Sequence, residues 1–194
     1  MSDVDGIAVL GSHPLTVMQA PFDKNWRIYA CSPHNIEHRT LPRVDAWFEI
    51  HKPVGHKTRA PEYLQVLKES AFPVYLRDVE ALPDFPTGVL YPDTEFRGEG
   101  EKNEHGQIVL SKLGKFSFFH FTSSIAFIMA KAIDDCDKEG IKNIGLWGIM
   151  QQSQTEFAYQ RPGIQYFIDQ CWRRGIKVTC PAESNLFEPM PENF

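Results

Sequence analysis

The familiar chemical signatures are missing from this 194-residue sequence. It has no Gly-x-x-x-x-Gly-Lys-Ser/Thr phosphate loop, no Gly-x-Gly-x-x-Gly turn, no His-Glu-x-x-His and no Gly-x-Ser-x-Gly. Walker-type NTPases, dinucleotide oxidoreductases of the usual fingerprint, zincins and α/β-hydrolases lose most of their weight. Cysteine is scarce. Cys31, Cys136, Cys171 and Cys180 show no Cys-x-x-Cys spacing and sit in apolar surroundings, so they read as reduced core thiols rather than disulfides or zinc ligands. No apolar run approaches the ~18 residues a membrane helix needs, and the start Met1-Ser2-Asp3-Val4-Asp5-Gly6 lacks the basic and apolar regions of a secretory signal. A cytoplasmic protein that contacts no membrane is expected. Positive charge is not in excess either. A formal net charge of -5 argues against broad attraction to a nucleic-acid backbone, although a nucleic acid as acceptor stays open.

What is present is ordinary globular composition, 42% hydrophobic and 23% charged, which supports one packed core. A single domain over residues 1–194 is expected, with no internal repeat. Short apolar runs at 6–10, 26–31 and 44–50 each end in a polar loop and read as buried strands. Residues 61–70 carry a modest helical pattern through Tyr63, Leu64 and Leu67, and Pro73 then opens a short strand at 73–76. Periodicity disappears across 83–114, which reads as a long polar loop or a hairpin insertion. Beyond it Thr122-Ser123-Ser124 can cap a helix whose Ile125, Ile128, Met129, Ala132, Ile133 and Cys136 form one apolar stripe. A strand at 141–149 follows, then a helix opened by Pro162 and stopped by Gly175, then a strand at 176–181. Strands alternating with helices predict an α/β, Rossmann-like three-layer sandwich with a mostly parallel sheet and its first strand central.

In such a sheet ligands bind outside the carboxyl ends of the strands. That rule gathers Gly11, Ser12 and His13 after the first strand, Ser32, His34 and Asn35 after the second, and Glu49 and His51 after the third. Thr122, Ser123 and Ser124 add backbone amides at a helix start, a favourable place for phosphate or carboxylate. Glu49 and His51, two residues apart, are candidates for an acid/base pair, a metal pair or an ordinary ion pair. His34 is a second candidate base. The segment 156–162, Glu-Phe-Ala-Tyr-Gln-Arg-Pro, supplies Tyr159, Gln160 and Arg161 on the same edge. The Arg161 fork suits an anion, and a structural Arg161–Glu156 pair is the alternative.

These residues carry a resemblance. Gly11-Ser12, Trp47-Phe48-Glu49-Ile50-His51 and the 156–162 motif, in that order, resemble a family of phage and prophage-associated Rossmann-like proteins of mostly unassigned function. Phe121-Thr122-Ser123-Ser124 leading into a helix, with the strand that ends in Gly148-Ile149, is more distantly similar to bacterial CMP-sialic-acid-dependent sialyltransferases and to the pterin pyrophosphokinase-like family. The resemblance implies that Gly11, Ser12, Ser32, Thr122, Ser123 and Ser124 line a nucleotide pocket. It also shows departures. Met150 stands where relatives usually carry an aspartate, and the 159–161 segment replaces the neighbourhood of the sialyltransferase histidine base. The expected function is a nucleotide- or nucleotide-sugar-binding transferase, glycosyltransferase-like, with a nucleotide or sugar nucleotide as substrate rather than a bound cofactor. The alternatives are a non-catalytic nucleotide-sequestering protein and a metal-assisted phosphohydrolase using Glu49 and His51.

Overall fold

Side chains one residue apart along the apolar runs leave on opposite faces, so each run feeds two cores at once. The computed structural model describes residues 3–37, 40–55, 60–151 and 156–187. Its strands are β1 (Gly6–Leu10), β2 (Trp26–Ala30), β3 (Ala46–Glu49), β4 (Val74–Leu76), β5 (Gly88–Leu90), β6 (Gly98–Lys102), β7 (Ile108–Leu113), β8 (Asn143–Trp147) and β9 (Lys177–Thr179). Its α-helices are α1 (His34–Glu37), α2 (Pro61–Lys68), α3 (Asp93–Arg97), α4 (Ser124–Glu139) and α5 (Arg161–Arg173). Seven strands form one sheet in the order β5-β4-β3-β2-β1-β8-β9, and every pairing in it is parallel.

Ile7, Val9, Tyr29, Phe48, Ile144 and Leu146 face α4 and α5, whereas Ala8, Leu10, Ile28, Trp47, Val74 and Leu76 pack with Tyr63 and Leu67 of α2. The result is the expected three-layer α/β sandwich, with β1 inside the sheet between β2 and β8. The α4 stripe is wholly buried, from Ile125 to Cys136. Ser123 caps that helix, its Oγ accepting from the Ala126 amide at 3.3 Å, and Gly140 closes it in the left-handed conformation. Arg27 of β2 binds Glu139 at the far end of α4 through two bonds of 2.6 and 2.5 Å, which ties helix to sheet near the amino edge.

The observed strands are shorter at their carboxyl ends than the apolar runs. Cys31, Ile50 and Ile149 leave the ladder and line the cleft described below. The 83–114 segment is not one loop. It holds β5, the edge strand of the main sheet, then α3, then the antiparallel hairpin β6–β7. Strand β5 escapes a periodicity reading because it is three residues long and exposes both Val89 and Leu90. The hairpin turn is set by Asn103, whose Oδ1 accepts from the amides of His105 and Gln107 at 3.0 and 2.9 Å. Among the described residues no helix is long and apolar enough to cross a membrane. The four cysteines are unpaired.

The strand order reverses at β1, which leaves β2 on one side and β8 on the other. The two chain segments leaving β1 and β8 press together there. A Cβ on Gly11 would stand 2.3 Å from the Gly148 carbonyl oxygen, and Gly148 itself has φ +65°. Gly11→Ala is therefore expected to destabilise the fold by about 1–3 kcal/mol, as overpacking does. Urea denaturation of the variant checks this.

Candidate functional site

An open cleft of about 1020 Å³ lies at the carboxyl edge of the sheet. Gly11, Ser12, His13 and Pro14 enter it after β1; Cys31, Ser32 and His34 after β2; Ile50, His51 and Lys52 after β3. Phe121, Thr122, Ser123 and Ser124 enter from the start of α4, and Gly148, Ile149, Met150 and Gln151 from the end of β8. The topology thus brings together loops up to 140 residues apart in sequence, as the switch-point rule requires. From β4 to β8 the cleft crosses four strand spacings, about 19 Å, enough for a ligand larger than a bare phosphate.

Internal hydrogen bonds shape this edge. Asn35, buried, donates from Nδ2 to the carbonyls of Gly11 at 2.9 Å and Cys31 at 2.8 Å, which locks the loops after β1 and β2 to each other. Asn35 is therefore a positioning residue. Thr16 Oγ1 accepts from the Gly148 amide at 2.9 Å and holds the β8 exit in the same way. Ser32 has φ +81°, a conformation uncommon for a residue with a Cβ, and it faces the cleft. Such strain collects where a ligand site fixes the backbone.

Glu49 is a buried acidic group at this edge, 1% exposed. Its Oε2 accepts from the Tyr63 hydroxyl at 2.5 Å, and Trp47 Nε1 donates in turn to that hydroxyl at 3.1 Å. Its Oε1 meets His51 Nδ1 and accepts from the His51 amide at 3.1 Å. Burial pushes the Glu49 carboxyl up, but the hydrogen bonds from His51 and Tyr63 outweigh it and hold the group below the usual glutamate value of 4.5. Burial, with the Glu49 charge beside it, keeps the Tyr63 phenol protonated well above the tyrosine range. Burial also pushes the Cys31 thiol up to about 12, so this cleft cysteine is no nucleophile at neutral pH. With its Nδ1 on the carboxylate, the His51 ring is oriented and its Nε2 is the nitrogen through which it would exchange a proton.

The cleft also contains residues that the strand-end rule should have supplied. Arg77 follows β4 directly, lines the cleft, lies over the Phe127 ring at 4.5 Å and binds Asp93 Oδ2 at 2.8 Å. Lys52, Phe127 and Gln151 line the cleft too, without a motif in the sequence that marks them. The sequence carries a signal for Arg77, because the residue after the strand at 73–76 shares that edge.

The Tyr159, Gln160 and Arg161 group does not gather as expected. Gln160 lines the cleft, Tyr159 is 68% exposed, and Arg161 is fully buried at the start of α5 and is not part of the lining. The guanidinium is held inside the protein rather than on the wall of the open cleft, which favours a structural role over the expected anion contact. The Glu156 side chain lies outside the described residues. His120 stacks on Tyr166 with ring centroids 4.0 Å apart. Among the described residues no three His, Cys, Asp or Glu side chains gather as a metal site. Both Glu49 oxygens are engaged, so a metal there would have to displace Tyr63 or His51.

A three-layer α/β fold with a parallel sheet, opening a loop-lined cleft at its switch point, defines a Rossmann-like fold. No family profile matches the chain, and no curated protein matches it. Among solved structures it is similar to the sialyltransferase CstII from Campylobacter jejuni in complex with a substrate analogue, cytidine-5'-monophosphate. That likeness has TM-score 0.55 and 15% identity, over 97% of this chain and 86% of the other. It is similar also to the CstII complex with CMP-3FNeuAc, at TM-score 0.55 and 16% identity, over 96% of this chain and 85% of the other. At these identities the likeness is one of fold.

Two outcomes are expected. Glu49→Gln removes a carboxylate whose lowered value stabilises the fold fully above 4.5 and progressively less as pH falls through the folded value. The variant should lose about 1–3 kcal/mol at neutral pH and approach wild type in acid, as read by denaturation at several pH values. Arg161→Ala should lower stability by about 1–3 kcal/mol while leaving ligand affinity unchanged, which calorimetric melting and titration separate.

Proposed function

We propose that this protein is a nucleotide-sugar-dependent transferase whose general base is His51, oriented by Glu49. The observation that carries the reading is the array Trp47–Tyr63–Glu49–His51, which runs from the buried core to the wall of the cleft. A buried, ionised carboxylate on Nδ1 fixes the imidazole tautomer and stabilises the imidazolium formed on proton uptake. His51 takes the proton of an acceptor hydroxyl, whose oxygen attacks the anomeric carbon of the donor sugar. The sugar–phosphate C–O bond breaks with its electron pair, and the nucleotide leaves as a phosphate anion. The start of α4, with Thr122, Ser123 and Ser124, and the Arg77 guanidinium are placed to receive that charge. Gly11, Ser12 and Ser32 form the backbone cradle around the nucleotide.

The similar structures, complexes with cytidine-5'-monophosphate and CMP-3FNeuAc, make a cytidine nucleotide the first ligand to try. A phage or prophage origin and the pterin pyrophosphokinase likeness rest on the sequence motifs alone, and a cytoplasmic location on the thiols and the lack of a signal-like or membrane-length apolar run. His34 serves as the alternative base. A second reading, a protein that binds nucleotide without turning it over, is favoured by Met150, which lines the cleft where the sequence resemblance implies an aspartate. A metal-assisted phosphohydrolase has less support, because both Glu49 oxygens are already engaged.

Melting curves with CMP and a CMP-sugar, then donor turnover, test the reading. A ligand at a hundred times its Kd stabilises by about 2.7 kcal/mol. His51→Ala is expected to reduce kcat by roughly 10²–10⁴ with nucleotide affinity kept. Binding without turnover by wild type favours the sequestering reading, and unchanged kcat in His51→Ala removes His51 as base.

A further inference from the structure

The exit of β8 is strapped on its backbone and left unsatisfied on its side chain. Asn185 Oδ1 accepts from the Gln151 amide at 3.0 Å and Asn185 Nδ2 donates to the Gln151 carbonyl at 2.5 Å, while Ser184 Oγ donates to the Ile149 carbonyl at 3.1 Å. The main chain at this point is thereby as constrained as a strand. Gln151 is only 4% exposed and lines the cleft, yet its Oε1 is buried with no hydrogen-bond partner among the described residues. A second buried atom in the same condition, His13 Nδ1, belongs to the loop after β1, whose backbone amide binds the Gly148 carbonyl at 2.8 Å. Two residues that line the cleft from adjacent strand exits at the switch point therefore each carry a buried polar atom without a hydrogen-bond partner among the described residues.

Buried acceptors without partners are rare because each forfeits its hydration, and those at a cleft are completed by what enters it. The chemistry of the missing partner follows from the atom. A carbonyl oxygen accepts only, so it repels a phosphate oxygen and requires an N–H or O–H. Nucleotides carry such donors on the base and on the ribose, not on the ionised phosphate. We infer that Gln151 Oε1 accepts a hydrogen bond from the nucleoside part of the ligand, and that the nucleoside lies over the β1–β8 seam with its phosphate directed towards α4 and Arg77. This deepens the nucleotide reading above and rests on it. It gives the ligand a direction along the cleft, and it makes a residue next to the Met150 departure the reader of the nucleoside.

The experiment uses Gln151→Met, which keeps the length of the side chain and removes its polar atoms, and Gln151→Leu as a second apolar variant. Both are melted without ligand and titrated with CMP, 2'-deoxy-CMP and ribose 5-phosphate. An orphaned acceptor is expected to cost the free protein, so at least one variant should melt at or above the wild-type temperature. CMP affinity should fall about tenfold, the size of one lost hydrogen bond. A base donor is indicated if the loss persists with 2'-deoxy-CMP and is absent with ribose 5-phosphate. A 2'-hydroxyl donor is indicated if it disappears with 2'-deoxy-CMP. If both variants melt well below wild type, Gln151 is satisfied within the fold and the inference is overturned. If both bind CMP as wild type does, the inference fails while the nucleotide reading stands. If wild type binds none of the three, the nucleotide reading itself fails and takes this one with it.

Discussion

The close contact between the chain leaving β1 and the chain leaving β8 is the constraint on which the rest of this edge depends. Gly11 and Gly148 meet backbone to backbone, at a separation that a single methyl group on Gly11 would violate. Because neither brings a side chain, β1 and β8 can pair in parallel up to their last residues and then part. Their parting opens the floor of the cleft at the point where strand order reverses. Asn35 and Thr16 extend the same contact outwards by hydrogen bonds to Gly11 and Gly148, so the floor is built from main chain held on both sides. The glycine expected to touch a ligand is first of all the residue that lets the sheet have a switch point.

A second constraint is the placing of one ionised carboxylate at the buried end of β3. An unpaired charge there would be costly, and the fold meets it with donors from two directions: Tyr63 from α2 and His51 from the loop beyond β3. The same bonds that make Glu49 tolerable also fix the His51 ring against the cleft wall. Stability and chemistry are thus coupled at this position, because a group that hydrogen-bonds the carboxylate is the group that would move a proton. The unsatisfied atoms of Gln151 and His13 show the opposite arrangement, in which the fold leaves a polar group for something outside the chain to complete.

Arg161 and Arg77 show how the two kinds of reading diverge. Both are arginines at the carboxyl edge, one before a helix and one after a strand. A strand-end loop opens outwards, so Arg77 reaches the cleft and stacks on Phe127. A helix start can instead be turned into the core, and α5 buries Arg161 together with Ile164, Phe167 and Ile168. Position along the chain does not distinguish these cases, since the difference lies in the rotation of α5 about its own axis.

By itself the sequence determined the class of the fold, the α4 helix with its cap and stripe, the first four strands of the sheet and the edge on which polar residues gather. These are local or periodic properties: runs buried on both faces, a 3.6-residue stripe, and serine or glycine where a helix starts or stops. Tertiary structure alone decided that 83–114 contributes an edge strand, that Tyr63 of α2 reaches Glu49, that Arg77 rather than Arg161 faces the cleft, and that Asn185 straps Gln151. Each of those depends on two segments distant in sequence meeting at one distance and one rotation. Hydrophobic pattern carries no record of that geometry, because it records which face of an element is buried and not what lies opposite.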